Sequence, residues 1–354
     1  MPAQDLICGL SDAHNGGRSV VCVITRTGSR VAYKPKPLEL DGELIRLSKW
    51  IDTVAAGDDR LALFIPRVLA MGPYGWTEWI EPLPCESESE AKLSYARTGS
   101  LLCVLHHLYA IDVHRENLIA HGDRPYFIDS ETLMQPMARG SAGSGIEETS
   151  ASYRLEQLLA DSVLRTGMVP AWVFSNSREQ SLDESGLGGT GLEAFERVPV
   201  WRNINSDWME LEYVAPEEGG AVFSNNVVRI GGRALDSSAY VSEIVDGYRA
   251  MYDLILTNRE IWKEDGGFLD TLSRQDVRFV FRPTQVYATI LAHALTPNCL
   301  RSGEKRSMVL DRLAVGYLSF PEKPAVWDLL KSEIAALEQC DIPFFTVKVS
   351  ETAL

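Results

Sequence analysis

The first fifty residues carry the strongest constraint on the fold, because their hydrophobic period changes once. Apolar segments LICGL (6–10), VVCVITR (20–26) and RVAYKPK (30–36) are separated by SDAHNGGRS and the turn TGSR. Alternation, β-branched residues and glycine turns predict a β-meander. Pro35 and Pro37 end the third strand, since proline cannot donate to a ladder. The period then lengthens. In LELDGELIRLSKWI, Leu40, Leu44, Leu47 and Ile51 recur at helical spacing on one face. The order is strand, glycine-containing loop, strand, strand, helix.

Residues 64–83 read as further strands and a turn, and residues 90–110 as a helix with Leu101, Leu102, Leu105 and Leu108 toward one side. His106 and His107 lie in that helix and are expected to pack or face solvent. ESESE, at 86–90, suggests an exposed connection. It divides the chain into a small β-rich N-lobe, 1–85, and a larger, mostly helical C-lobe, 86–354. Residues 138–150 and 175–191 are rich in Gly and Ser and read as loops around a helical piece, 152–167. Later helices fall near 239–264 and 323–339. A chain of 354 residues suits two such lobes. The fold class is α+β.

A net charge of -15 repels nucleic-acid phosphate and speaks against nucleic acid as a partner. No apolar run reaches membrane-spanning length, and MPAQDLICGL lacks the regions of a signal peptide. The six cysteines are scattered, with no Cys-x-x-Cys pair, and most sit among apolar neighbours. Together these features predict a cytoplasmic protein with buried thiols and no structural zinc.

The densest chemistry is in IDVHRENLIAHGDRPYFIDSETL, 111–133. Asp112 is followed five residues on by Asn117, and twelve further by Asp129. A carboxylate that orients or deprotonates a hydroxyl, followed by an amide and a second carboxylate on a hairpin edge, suits phosphoryl transfer. Mg²⁺ is a hard ion that prefers oxygen ligands. Lys34 ends a third strand beyond the glycines of the first loop, as a phosphate-pairing lysine does, and Glu39 or Glu43 on the next helix could pair with it. Asp-x-His occurs at Asp12/His14 and at Asp112/His114, so a metal-dependent hydrolase is an alternative. His-Arg-Asp and Asp-Phe-Gly are absent.

Seven motifs occur in order: SDAHNGGRSV, VAYKP, YGWTEWI, DVHREN, FIDSETL, VRFVFRPTQVY and DIPFF. Over residues 9 to 346 or so, the chain resembles the dehydratase domain of class II lanthipeptide synthetases (LanM type). That resemblance implies a kinase-like two-lobed fold and a two-step activity on a ribosomally made precursor peptide with leader and core. Ser or Thr is phosphorylated with ATP and Mg²⁺, and phosphate is then eliminated to give dehydroalanine or dehydrobutyrine. Lys34 would contact ATP phosphate. Asp112 would act on the hydroxyl with His114 beside it, and Asn117 and Asp129 would bind Mg²⁺ near Glu131. Asp12, His14 and Asn15 would line the same cleft. Arg278 and Thr284 match the pair needed for elimination, where a planar guanidinium fits a leaving phosphate dianion. Arg282 is a rival clamp, and Arg278 read alone is a salt-bridged strand residue. His14 and His114 are both open as the base for the α-proton.

Only eleven residues precede Asp12, and no cyclase region with a Cys/His zinc site follows. The expectation is a stand-alone, shortened dehydratase. Another maturation enzyme, or a chain supplying the missing N-terminal surface, would be its partner. Two alternatives remain: a phosphotransferase without elimination, and an inactive module that binds the precursor.

Overall fold

The computed structural model describes residues 2–136, 151–170, 172–174, 181–189, 198–203, 206–214, 224–318 and 327–350. Its fold is mixed α+β. The N-terminal meander forms an antiparallel sheet of five strands in the order β1-β2-β3-β5-β4. These are β1 (Ala3–Ile7), β2 (Val21–Thr25), β3 (Arg30–Lys34), β4 (Val68–Ala70) and β5 (Gly75–Glu78). Val21 lies opposite Tyr33, and Lys34 opposite Gly75. β1 starts earlier than LICGL predicts and shares only Leu6 and Ile7 with it.

Helix α1 (Glu39–Val54) buries Leu40, Leu44, Leu47 and Ile51, the stripe the spacing predicts. That stripe joins Leu101, Leu102 and Leu105 of α2 (Glu88–His107) and Met251 of α4 (Val241–Thr257) in the main core. α2 and α4 touch through two glycines. A Cβ on Gly99 would stand 1.9 Å from the Ile244 carbonyl oxygen, and one on Gly247 1.8 Å from that of Ala96. No side chain fits at either place. The ESESE stretch is not a free connection. Ser87 caps α2 by accepting from the Glu90 N–H at 3.3 Å, while the Glu90 carboxylate accepts from the Glu86 N–H at 2.8 Å. This Ser-x-x-Glu pattern is that of a capping box, with the returning glutamate bond taken by the amide one residue before the N-cap.

Beyond α2, β6 (Leu118–His121) and β7 (Arg124–Phe127) form a hairpin with Leu118 opposite Phe127. The helical piece at 152–167 appears as α3 (Ala151–Ala160) and a 3₁₀ turn, Val163–Thr166. Three small hairpins follow: β8 (Trp172–Phe174) with β9 (Ser181–Asp183), β10 (Val198–Arg202) with β11 (Glu210–Val214), and β12 (Arg229–Ile230) with β13 (Arg233–Ala234). The predicted loop at 138–150 lies outside the described residues. So does much of that at 175–191, whose described part contains β9. The helix expected near 239–264 divides into α4 and α5 (Arg259–Lys263), and α6 (Phe268–Ser273) follows.

Next, β14 (Asp276–Phe279) pairs with β15 (Phe345–Lys348), Arg278 facing Thr346. Between them α7 (Thr284–Ala294), α8 (Pro297–Leu300), α9 (Gly303–Leu310) and α10 (Trp327–Glu338) enclose a second core around Tyr287, Leu313, Leu337 and Ile342. Cys22, Cys85, Cys103 and Cys299 are buried free thiols, while Cys8 and Cys340 are exposed. Among the described residues no helix is long and apolar enough to cross a membrane.

Candidate functional site

The hairpin builds the centre of the site. Asp112 sits in the left-handed region at φ 61°, a strained place for a residue with a Cβ. Its neighbours are tied down on both sides: Ile111 N–H donates to Thr132 O at 3.2 Å, Thr132 Oγ1 donates to Ile111 O at 2.6 Å, and Val113 N–H donates to Thr166 O at 2.8 Å. Asn117 Nδ2 donates to the Asp112 carbonyl at 2.7 Å, and Ile128 N–H donates to the Asn117 carbonyl at 3.0 Å. Thus Asp112, Asn117 and Asp129 lie along one edge. Burial pushes the Asp112 pKa above the usual carboxylate range, against the pull of His114 and Arg278.

Lys34 is buried at the end of β3 and donates to the Ile128 carbonyl. A second lysine does what the sequence assigned to no residue. Lys36 Nζ bridges Asp129 Oδ1 and Glu131 Oε2, each at 2.5 Å. The other oxygen of Glu131 meets Arg278 Nη1 at 2.6 Å, and Arg278 N–H donates to the Glu131 carbonyl at 2.8 Å. Burial works against the charges of both Lys36 and Asp129. It is outweighed by their mutual attraction, which raises the lysine pKa and lowers that of the aspartate. The helix partner of the lysines is neither Glu39 nor Glu43. Glu39 is exposed, and Glu43 pairs with Arg46 at 2.6 Å and accepts from Thr271 Oγ1 at 3.0 Å. Asp41 takes that place. It is buried, its pKa raised by desolvation and pulled back by Lys34 and Lys36.

The first motif is held by residues 341–344. His14 Nδ1 lies 2.7 Å from the Ile342 carbonyl, and its ring packs edge-on to Phe344 with centroids 5.2 Å apart. Arg278 lies over the same Phe344 ring at 5.1 Å. Gly16 and Gly17 N–H groups donate to the two oxygens of Asp341, at 2.6 and 2.8 Å. Asp12 is exposed but acts electrostatically on His14. Asn15 is exposed, at φ 50°. His114 accepts from Glu116 N–H through Nδ1 at 3.3 Å.

Thr284 opens α7 and makes no side-chain hydrogen bond among the described residues. Arg282, the rival clamp, is committed elsewhere. It pairs with Glu333 at 2.6 Å and donates to Tyr317 Oη at 2.9 Å in the second core. Arg278 is a salt-bridged residue of strand β14, joined through Glu131 to Lys36 and Asp129. His106 and His107 pack as expected, against Tyr248 Oη at 2.7 Å and the Cys103 carbonyl at 2.7 Å. Among the described residues no three His, Cys, Asp or Glu side chains are grouped to hold a metal.

Lys36, Asp41 and Asp341 are the site-lining residues that sequence reasoning missed.

With two lysines, an arginine and three carboxylates converging on a hairpin edge, the comparison with known families can be made. The model of a family described as Domain of unknown function (DUF4135) matches residues 2–348, and the chain belongs to that family. It is 28% identical over 355 residues to the Lacticin 481/lactococcin biosynthesis protein LcnDR2 of Lactococcus lactis subsp. lactis. That match covers 97% of this chain and 36% of the relative, so the chain spans about a third of that protein's length. These findings bear out the resemblance to class II lanthipeptide synthetases carried by the seven motifs.

Proposed function

We propose that the chain acts in lanthipeptide maturation as a peptide dehydratase. Its substrate would be a ribosomally made precursor peptide with leader and core. The observation that carries this reading is the continuous chain of ions Asp129–Lys36–Glu131–Arg278 beside Asp112. It joins residues suited to phosphoryl transfer to a guanidinium suited to phosphate release. The reading includes a kinase-like arrangement of a small lobe, 1–85, and a larger one, 86–354.

The donor set fits a magnesium ion. Lys36 and the Glu131 N–H both meet Asp129 Oδ1, which leaves Oδ2 for a cation. Asn117 uses its Nδ2 on the Asp112 carbonyl, which leaves its Oδ1. Mg²⁺-ATP would supply the phosphoryl group and screen its charge. Lys34 and Lys36 would meet the phosphate oxygens. Asp112, made more basic by burial, orients the substrate hydroxyl and receives its proton. Arg278 then binds the phosphate of the phosphopeptide as a bidentate partner.

A second reading stops at the phosphopeptide, and the Glu131 carboxylate already seated on the Arg278 guanidinium favours it. Mass spectrometry of the precursor with ATP and Mg²⁺ decides between them. Loss of about 18 Da per modified residue, one water, supports the dehydratase, and a gain of about 80 Da, one phosphoryl group, supports the phosphotransferase. Under the first reading Arg278→Ala accumulates the phosphopeptide. No mass change with any precursor, together with no Mg²⁺-ATP binding, sinks both and leaves a binding module.

A further inference from the structure

The motif DIPFF, 341–345, has no role in the scheme above, yet its residues hold both the first loop and the elimination arginine. The Asp341 carboxylate accepts from the Gly16 and Gly17 N–H groups. These glycines have φ of 89° and 77°, so successive amides turn toward one anion, an arrangement that cradles negative charge. Ile342 adds two contacts: its N–H donates to the Ala13 carbonyl at 2.8 Å, and its carbonyl faces His14 Nδ1. Phe344 lies against both the His14 ring and the Arg278 guanidinium.

These contacts decide a proton position. A carbonyl oxygen only accepts, so His14 Nδ1 must carry the hydrogen, and in the neutral ring Nε2 is a bare lone pair. Burial lowers the His14 pKa against the Ile342 carbonyl, and Arg278 adds to the lowering. His114 is set the other way. Its Nδ1 accepts from the Glu116 N–H, so in the neutral ring Nε2 carries the hydrogen and can only donate.

We propose that Asp341 and Phe344 are positioning residues for phosphate elimination, holding His14 beside Arg278 with Nε2 free to remove the α-proton. This rests on the dehydratase reading. His14 Nε2 takes the proton from Cα of the phosphorylated residue. The C–H electron pair becomes the Cα=Cβ double bond, and the Cβ–O bond breaks with its own electron pair going to the phosphate oxygen, so that phosphate leaves as an anion held by Arg278. Imidazolium then returns its proton to water.

The test uses a synthetic phosphoserine version of whichever precursor the wild type modifies, without ATP, and follows phosphate release. H14N keeps a donor toward Ile342 but has no base, and is expected to slow release about 10²–10⁴-fold. Asp341→Ala and Phe344→Leu should each slow it about tenfold, the equivalent of about 1.4 kcal/mol of barrier. Histidine ¹⁵N NMR supplies a readout that needs no turnover. The His14 signal, assigned by its loss in H14N, should report the Nδ1–H tautomer in wild type and a mixture in Asp341→Ala. If that variant does not fold, Asp341→Asn keeps the volume and one acceptor and should show the same change at smaller amplitude. Release by H14N at the wild-type rate, or a His14 ring protonated at Nε2, overturns the inference and leaves the dehydratase standing. Failure of the wild type to release phosphate from the phosphopeptide overturns the dehydratase reading itself, whatever the tautomer.

Discussion

Arg278 and Arg282 lie four residues apart in sequence, and each ends on a glutamate at 2.6 Å. Their surroundings differ. Glu333 is fully buried and is met by Arg282 and the Tyr287 hydroxyl on one oxygen, in a core of aromatic and aliphatic side chains. Glu131 is shared by Arg278 and Lys36, and Lys36 by Glu131 and Asp129. The first pair is closed. The second is an open series of ions in which each partner can exchange its contact for a ligand of like charge. The same guanidinium–carboxylate chemistry is therefore sealed in a core in one place and joined to further charges in the other.

The comparison breaks most sharply at Glu333. Glu333→Ala leaves Arg282 without its counterion in the second core, and should cost about 3–5 kcal/mol of stability in chemical denaturation. The phosphorylated and dehydrated products of the protein that stays folded should be unaltered. Asp129→Asn should do the reverse. Phosphoryl transfer, read by mass spectrometry, is expected to fall about 10²–10³-fold, with a much smaller change in the denaturation midpoint. If Asp129→Asn unfolds the protein while Glu333→Ala silences it, the assignment of the two clusters is inverted.

Acid sharpens the contrast. The Asp129 pKa is lowered in the folded state, so its contribution is present above the ordinary carboxylate range and is lost as pH falls through the folded value. The Lys36 pKa is raised, so its share is present at neutral pH and lost only as pH rises through the folded value. Stability of the wild type should fall on acidification below the carboxylate range, and Lys36→Met should flatten that slope. An unchanged slope would mean that Lys36 does not hold Asp129 in solution. The smallest effect belongs to the exposed pair Arg30–Glu81, whose side chains are 42% and 50% exposed. Arg30→Ala should change stability by less than about 1 kcal/mol, since solvent screens such pairs.

Much of the architecture was legible where period and punctuation act locally. The switch from alternation to helical spacing at Leu38 located β2, β3 and α1, and the polar–apolar rhythm of 111–133 located the hairpin of β6 and β7. Ser87-x-x-Glu90 was a readable capping signal hidden in a charged run. The helix carboxylate was harder. Asp41 lies three residues before Leu44 and Glu43 three after Leu40, so both flank the buried stripe and helical spacing alone does not choose between them. Lys36 stands between two prolines, which mark the end of the strand but not the direction of the next side chain. The remaining gaps come from distance along the chain. Glu131 and Arg278 are 147 residues apart, Gly17 and Asp341 are 324, and no local pattern encodes such pairings.

Those separations bear on how the protein is made. The loop at 13–17 can take its place only after residues 341–344 have been synthesised and folded back against it. Closing so long a loop is entropically costly and is expected to come late in folding. A ribosome-bound chain therefore carries the hairpin with Asp112 and Asp129 well before the loop at 13–17 has its anchor.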